Sequence, residues 1–227
     1  MTKYTAVIIE PRKHKALPFV LNNFFENLSE EWSFIIFHGN QNQEYIIDIM
    51  ENQLPQYKSR IIQCVNLNID NFNNLIEYSS FVVSKPFYDF IPTEIFLTFQ
   101  TDCMIFEENK LLINDFLKYD YVGAPWDWNK SVGNGGLSLR RKSKMLEVIN
   151  KVPYNFLHED RYICDQTVVY LNKPTFEEAK NFSIETVFNE VSFGIHNAWG
   201  CKSIEPEKII YLLQRYPELN TLIMLQY

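Results

Sequence analysis

Apolar and polar positions along this chain alternate between two periods, and the switches between them outline an architecture. Tyr4–Glu10 (YTAVIIE) is a short β-branched apolar run, the pattern of a strand covered on both faces in a parallel sheet. In Leu17–Leu28 the residues Leu17, Val20, Leu21, Phe24, Phe25 and Leu28 share one helical face. Trp32–His38 (WSFIIFH), stopped by Gly39-Asn40, predicts a second strand, and Ile61–Leu67 (IIQCVNL) a third, with a helix over Tyr45–Gln53 between them. Phe72–Ser80 predicts another helix. Glu94–Phe106 (EIFLTFQTDCMIF) predicts one long strand, its apolar run broken by Gln100, Thr101 and Asp102. A helical turn over Leu111–Phe116, a strand at Tyr119–Val122, and helices over Ser143–Asn150 and Glu159–Tyr170 follow. The amphipathic stretch Ile209–Tyr227 is expected to pack on its own domain, with a homodimer as the alternative use of that face. No repeat or Pro/Ser linker divides the chain, which predicts one domain over 1–227. Strand–helix alternation in the first half implies a mostly parallel sheet covered on both faces. Such sheets bind ligands at the carboxyl ends of their strands.

Composition narrows the function. Among 227 residues, 21 Lys+Arg against 28 Asp+Glu leave a net charge of −7. That balance argues against a dedicated nucleic-acid binder, which carries a basic face. No window holds the roughly 18 uninterrupted apolar residues of a membrane span. Met1-Thr2-Lys3-Tyr4 runs straight into a strand without an apolar leader, and Cys64, Cys103, Cys164 and Cys201 form no C-x-x-C pair. The expectation is a cytoplasmic protein with reduced thiols. Glycine is scarce, 7 in the whole chain, so three glycines within four positions at Gly133-Asn134-Gly135-Gly136 carry information.

Four constellations hold candidate chemistry. Asp102, in Gln100-Thr101-Asp102-Cys103, interrupts an apolar strand, where a carboxylate costs several kcal/mol (order of magnitude) unless it is paired or metal-bound. A salt bridge or turn cap satisfies that need, and so does a hard cation held through carboxylate oxygen. The glycine cluster frees the backbone for positive φ and for close approach to a ligand, but its spacing matches neither common phosphate-binding glycine motif. Trp126 and Trp128 precede it, either as sugar-stacking platforms or as core residues. His158-Glu159-Asp160, followed by Asp165, either complements a helix N-terminus or supplies a general base. His196, in Phe193-Gly194-Ile195-His196, is either structural or a ligand to a divalent metal. Arg12-Lys13-His14-Lys15, after the first strand, is either a solvated loop or a diphosphate contact.

Taken in order, AVIIEPR, FLTFQTDCMIF, YDYVGAPW, GNGGLSLR, HEDRYICDQ and FGIHNAW resemble the GT-A glycosyltransferases, and more closely a family long filed as a domain of unknown function. The resemblance runs from Ala6 to Trp199, and it is the order and spacing of six segments together that make it specific. It implies a GT-A-like Rossmann-type α/β/α sandwich with a mostly parallel central sheet. Its nucleotide-sugar-binding half would be 1–106 and its acceptor and catalytic half 107–227. It further implies a nucleotide-sugar donor, with UDP-sugars favoured, a carbohydrate or other hydroxyl acceptor, and a divalent cation, Mn²⁺ or Mg²⁺. Gln100-Thr101-Asp102 falls where GT-A enzymes carry D-x-D, which makes Asp102 a metal ligand beside the donor contacts Arg12, Gln100 and Thr101. Gln100 departs from that pattern, and an amide oxygen coordinates more weakly than a carboxylate. His196 matches the C-terminal metal-binding histidine. Trp126, Asn134, Gly135 and Gly136 fall on the acceptor side. Glu159-Asp160 resembles the E-D pair of inverting members, which makes Asp160 the base with Glu159 as its substitute and Asp165 as an outside candidate.

The Gln100 departure keeps alive a rival, a non-catalytic GT-A-like module that binds nucleotide or carbohydrate. A glycoside hydrolase needs two carboxyls facing each other across a cleft about 5–9.5 Å apart. The sequence neighbours Glu159 and Asp160 diverge on a helix and suit it poorly. A plain structural protein leaves the concentrated Gly, Trp and carboxylate motifs without a use.

Overall fold

A computed structural model describes residues 2–227. Strand β1 (Tyr4–Ile9) enters the sheet centre and ends before Glu10-Pro11, helix α1 (Leu17–Asn27) returns, and β2 (Trp32–His38) lies parallel beside β1 with Ala6 opposite Phe34. Helix α2 (Gln43–Asp48) continues into a π-turn over Ile49–Gln53, and a 3₁₀ turn at Pro55–Arg60 leads into β3 (Ile61–Asn66), the edge of the sheet. Helices α3 (Leu75–Val82) and α4 (Lys85–Asp89) follow. Then β4 (Ile95–Phe99) pairs in parallel with the other side of β1.

The long strand expected over Glu94–Phe106 is two strands. Gln100–Asp102 turns the chain out of the main sheet, Cys103 N donates to Gln100 O at 3.1 Å, and β5 (Cys103–Ile105) joins a different sheet. The polar triplet therefore marks a corner, where its side chains escape the apolar layers. A 3₁₀ turn at Glu107–Leu112 and helix α5 (Ile113–Phe116) then lead to the short strands β6 (Tyr121–Val122), β7 (Pro125–Trp126) and β8 (Ser131–Val132).

Strand β9 (Leu137–Arg141), which hydropathy did not separate from the glycine loop, runs antiparallel to β4. Helices α6 (Lys142–Lys151) and α7 (Glu159–Asp165) follow. The second is shorter than the stretch to Tyr170 that periodicity predicted. After Asp165 the Gln166 side chain bonds both the N–H and the carbonyl of Val169, and the β-branched run Thr167-Val168-Val169 disfavours helix. Helix α8 (Phe176–Ala179), strands β10 (Ser183–Ile184) and β11 (Gly194–His196), and helices α9 (Pro206–Arg215) and α10 (Glu218–Met224) complete the chain. Pro217 divides the C-terminal stretch into these last two helices.

The six-stranded sheet has the order β3-β2-β1-β4-β9-β6, with β9 antiparallel to its neighbours. A second sheet, β10-β11-β5, stands beside it, and β7-β8 form a ribbon. Alternation along β1 decides the layers. Ala6 and Ile8 pack into a core with α1 and with Leu212, Leu219 and Leu222 of the C-terminal helices. Val7 and Ile9 pack on the opposite face with Val82, Phe87, Met145 and Tyr162. The C-terminal helices thus bury their apolar face on their own domain. No helix among the described residues is long and apolar enough to cross a membrane.

Candidate functional site

Two clefts open where β1 and β4 end, and they share Leu75, Tyr78 and Gln100. The first, about 520 Å³, is lined by Glu10, Arg12, His14, Phe72, Thr101 and Asp102 among others. The second, about 320 Å³, is lined by Trp126, Trp128, Asn134, Gly135, Gly136, Glu159, Asp160, Glu185 and His196. The residues expected to meet a donor, Arg12, Gln100, Thr101 and Asp102, therefore line one cleft. Those expected on the acceptor side line the other, beside Asp160. Asp165 lines neither; it is exposed and paired with Arg161 at 2.9 Å.

In the first cleft Arg12 clasps the buried Glu10 through Nε at 2.8 Å and Nη2 at 2.7 Å. The loop after β1 is held open by this pair and by Asn42, whose amide donates to the carbonyls of Glu10 and Arg12. Gln100 points its amide at the Tyr78 hydroxyl, 3.4 Å away. Gln226 of the C-terminal tail donates to Thr101 O at 2.8 Å.

The clefts meet at Asp102, which lines the first, and His196, which lines the second. His196 Nε2 lies 3.4 Å from Asp102 Oδ1, and His196 Nδ1 lies 3.3 Å from Glu185 Oε1. Neither approach has hydrogen-bond geometry, so the buried Asp102 Oδ1, Glu185 Oε2 and His196 Nδ1 lack partners. Burial pulls the His196 pKa down, but the Asp102 and Glu185 carboxylates push it further up, and it ends above the ordinary histidine value. Buried unpaired polar atoms are costly, and two carboxylates around one imidazole call for added positive charge. The Asp102 and His196 donors suit a hard divalent cation. Cys103 is within reach of the same point, but burial pushes its thiol well above the usual range and Sγ donates to Gly136 O at 3.1 Å. A soft sulfur donor is a poor match for such a hard ion.

The glycine loop is shaped by closeness rather than by handedness. None of its glycines has positive φ; Asn134 does, at 59°. That corrects the expectation from sequence, and the reason is steric. A Cβ on Gly133 would collide with the Trp126 ring, one on Gly135 with the Glu159 carboxylate, and one on Gly136 with the His196 ring. The loop is wired in place by Tyr121 Oη to Asn134 O at 2.9 Å and by Arg140, whose Nη2 reaches Gly135 O at 3.4 Å and Glu159 Oε1 at 2.7 Å. Arg140 and Glu159 are both buried. Glu159 thus enters the cleft wall as half of an ion pair.

Asp160, one residue further on, has no such partner. It accepts only the Arg161 N–H at 2.7 Å, and burial together with the Glu159 charge raises its carboxyl pKa to about 7. Trp126 is buried, and Trp128 stacks on it at 5.3 Å while remaining 61% exposed. Sequence reasoning missed Glu185. Only the pairing of two short strands brings it beside His196, and neither β10 nor β11 is long enough to show a hydrophobic period.

Residues 61–196 match the family described as Protein of unknown function (DUF5672), more than half of the chain. The chain belongs to this family. The match runs from β3 to His196, so Asp102, Gly135, Gly136, Asp160, Glu185 and His196 lie within the DUF5672 region and Arg12 lies outside it. No curated protein matches the chain in sequence. Among solved structures, the DUF5672 chain is similar to the apo-form glycosyltransferase GlyE of Streptococcus pneumoniae TIGR4. The TM-score is 0.50 and the identity 11%, with 98% of this chain and 62% of that chain covered. It is also similar to S. aureus TarS 1-349 in complex with UDP-GlcNAc, with TM-score 0.52, 9% identity, and coverage of 98% and 67%. The chain therefore spans about two thirds of the length of these solved chains. At such identity the likeness concerns the fold, a mixed α/β sandwich with a mostly parallel central sheet of GT-A-like type.

Proposed function

We propose that the chain is a glycosyltransferase that moves a sugar from a nucleotide-sugar donor to an acceptor hydroxyl with inversion. The observation that carries this reading is the meeting of two clefts at a partner-poor Asp102–His196–Glu185 cluster, with an unpaired, high-pKa Asp160 on the wall of the second. The larger cleft takes the nucleoside diphosphate, where Arg12 and the Thr101 hydroxyl contact it. Arg12 spends Nε and Nη2 on Glu10 and so offers its remaining Nη1 to a phosphate oxygen. Carboxylates outnumber cations along these walls, so an incoming diphosphate needs counter-charge. Asp102 and His196 hold a divalent cation, which when bound neutralises the charge on a departing diphosphate. Asn134, Gly135 and Gly136 let the acceptor approach closely, and Trp128 offers a flat apolar face to a sugar ring. Asp160 accepts the proton of the attacking hydroxyl; a pKa of about 7 matches the working pH of a general base. Glu159, tied to Arg140, orients the helix start that carries Asp160. The halves 1–106 and 107–227 then correspond to donor and acceptor sides of one domain.

UDP-GlcNAc, bound by TarS, is the first donor to assay, with Mn²⁺ and mixed glycan acceptors. Release of UDP that Asp160→Asn lowers by about 10²–10⁴ supports transfer. The Gln100 amide, turned toward Tyr78 rather than toward Asp102, favours a second reading, a module that binds nucleotide or carbohydrate without turnover. Binding of UDP-sugars with no UDP release under any acceptor would select that reading. A product retaining the donor's anomeric configuration would overturn inversion.

A further inference from the structure

Glu185 lies on the far side of the His196 ring from Asp102. The register of the small sheet sets this arrangement. Ile184 pairs with Ile195 and His196 with Cys103, so the chain just after β10 lies beside His196 and the chain just before β5 lies on its other side. Glu185 approaches Nδ1 at 3.3 Å and Asp102 approaches Nε2 at 3.4 Å. The two ring nitrogens point apart, so the carboxylates have different tasks. Beside Nε2 the wall is Gly136, where any Cβ would fill the space next to the ring.

We infer that Glu185 is the positioning residue of the cation seat. From its 3.3 Å approach the carboxylate would close on Nδ1 when the ion binds and accept its proton, leaving the Nε2 lone pair on the Asp102 side, where the ion would be ligated. A carboxylate behind a ligating imidazole fixes its tautomer and orientation and raises its basicity. It also compensates for the departure at Gln100: the second carboxylate acts through the histidine instead of on the ion. The inference rests on the proposed cation site and not on transfer itself.

The test is Mn²⁺ binding to the full chain, read from the free Mn²⁺ signal in electron paramagnetic resonance without donor or acceptor. Wild type binds one Mn²⁺, and Glu185→Ala weakens binding about 10–100-fold. Glu185→Gln, whose amide oxygen accepts the same Nδ1–H, restores affinity to within about threefold. A merely structural carboxylate would leave affinity unmoved, and that result for a folded Glu185→Ala overturns the inference. Glu185→Gln falling as far as Glu185→Ala also overturns it, because the charge rather than the hydrogen bond would then matter. If wild type takes up no Mn²⁺, the cation seat falls and this inference with it, whereas UDP release still reports on transfer independently. Where Glu185→Ala does not fold, ¹⁵N NMR of His196 in the Mg²⁺-saturated wild type decides. An Nδ1-protonated ring supports the inference, and an Nε2-protonated ring overturns it.

Discussion

Two buried charged clusters flank the glycine loop, and they are built from the same kinds of residue to opposite effect. On one side Arg140 and Glu159 meet at 2.7 Å, with Arg140 also bonded to Ser138 and the Gly135 carbonyl and lying over the Tyr121 ring. The charges cancel and the pair holds the loop, although Arg140 Nη1 and Glu159 Oε2 have no hydrogen-bond partner. On the other side Asp102 and Glu185 flank His196 at 3.3–3.4 Å without a hydrogen bond among them. Even with a protonated imidazole the three groups sum to a negative charge. A buried pair of balanced charge needs no counter-ion, whereas an unbalanced cluster marks a place for a charged ligand. The neighbours Glu159 and Asp160 illustrate the same split: the first belongs to the closed cluster and the second faces the open cleft.

The largest effect that could break this comparison is on stability. Arg140→Leu strands Glu159 in the interior, and urea unfolding should register a loss of about 3–5 kcal/mol. Asp102→Asn removes one of two unbalanced carboxylates and should cost less than about 1 kcal/mol in the same assay. Equal losses would mean that both clusters are structural.

Asp160 offers the next contrast. Its folded pKa of about 7 lies above the unfolded value, so the native state binds more protons than the unfolded state between about pH 4 and 7. Its burial cost is absent below about pH 4 and complete above pH 7. Asp160→Asn should therefore stabilise the fold by roughly 1–3 kcal/mol at pH 8 and by nothing at pH 4, in thermal melts across that range. The kcat/KM for transfer should rise with pH through the same pKa as the base loses its proton.

Gly136→Ala is a finer probe, because its Cβ would press on the His196 ring. A cost of about 1–2 kcal/mol in denaturant unfolding is expected, together with loss of any Mn²⁺-induced rise in melting temperature. Trp128→Ala should change stability by less than about 0.5 kcal/mol, since the ring is 61% exposed. It should raise KM for a sugar acceptor while leaving donor KM unchanged. A change in donor KM alone would reverse the assignment of the two clefts.

The parallel half of the fold was legible in the chain because β1, β2 and α1 carry long, uninterrupted apolar periods. Trp32–His38 is a strand over the same residues in the structure. The second half carries a weaker pattern. Strand β6 (Tyr121–Val122) falls inside the expected Tyr119–Val122, but β7, β8 and β10 are two residues each, too short for any period to appear. The corner at Gln100–Asp102 looked like a flaw in one strand because alternation cannot tell an interrupted strand from two strands in different sheets.

Asp102, His196 and the glycine loop stand out as unusual residue types in apolar or Gly-poor surroundings, whereas Asp160 stands out as one of two adjacent carboxylates at a helix start and, as the base, only through the resemblance of Glu159-Asp160 to the E-D pair. What each one does depends on its neighbours. Asn134 rather than a glycine takes the left-handed conformation, and the glycines yield room to Trp126, Glu159 and His196. Glu159 became half of an ion pair only through Arg140, and Glu185 came to His196 only through the pairing of β10 with β11. Hydrophobic period and rare residues are properties of a segment, so the amino-acid order alone determined the parallel core and the set of suspects. Charge balance and closeness are properties of segments far apart in the chain, so tertiary structure alone decided which carboxylates meet an opposite charge and which face the clefts without one.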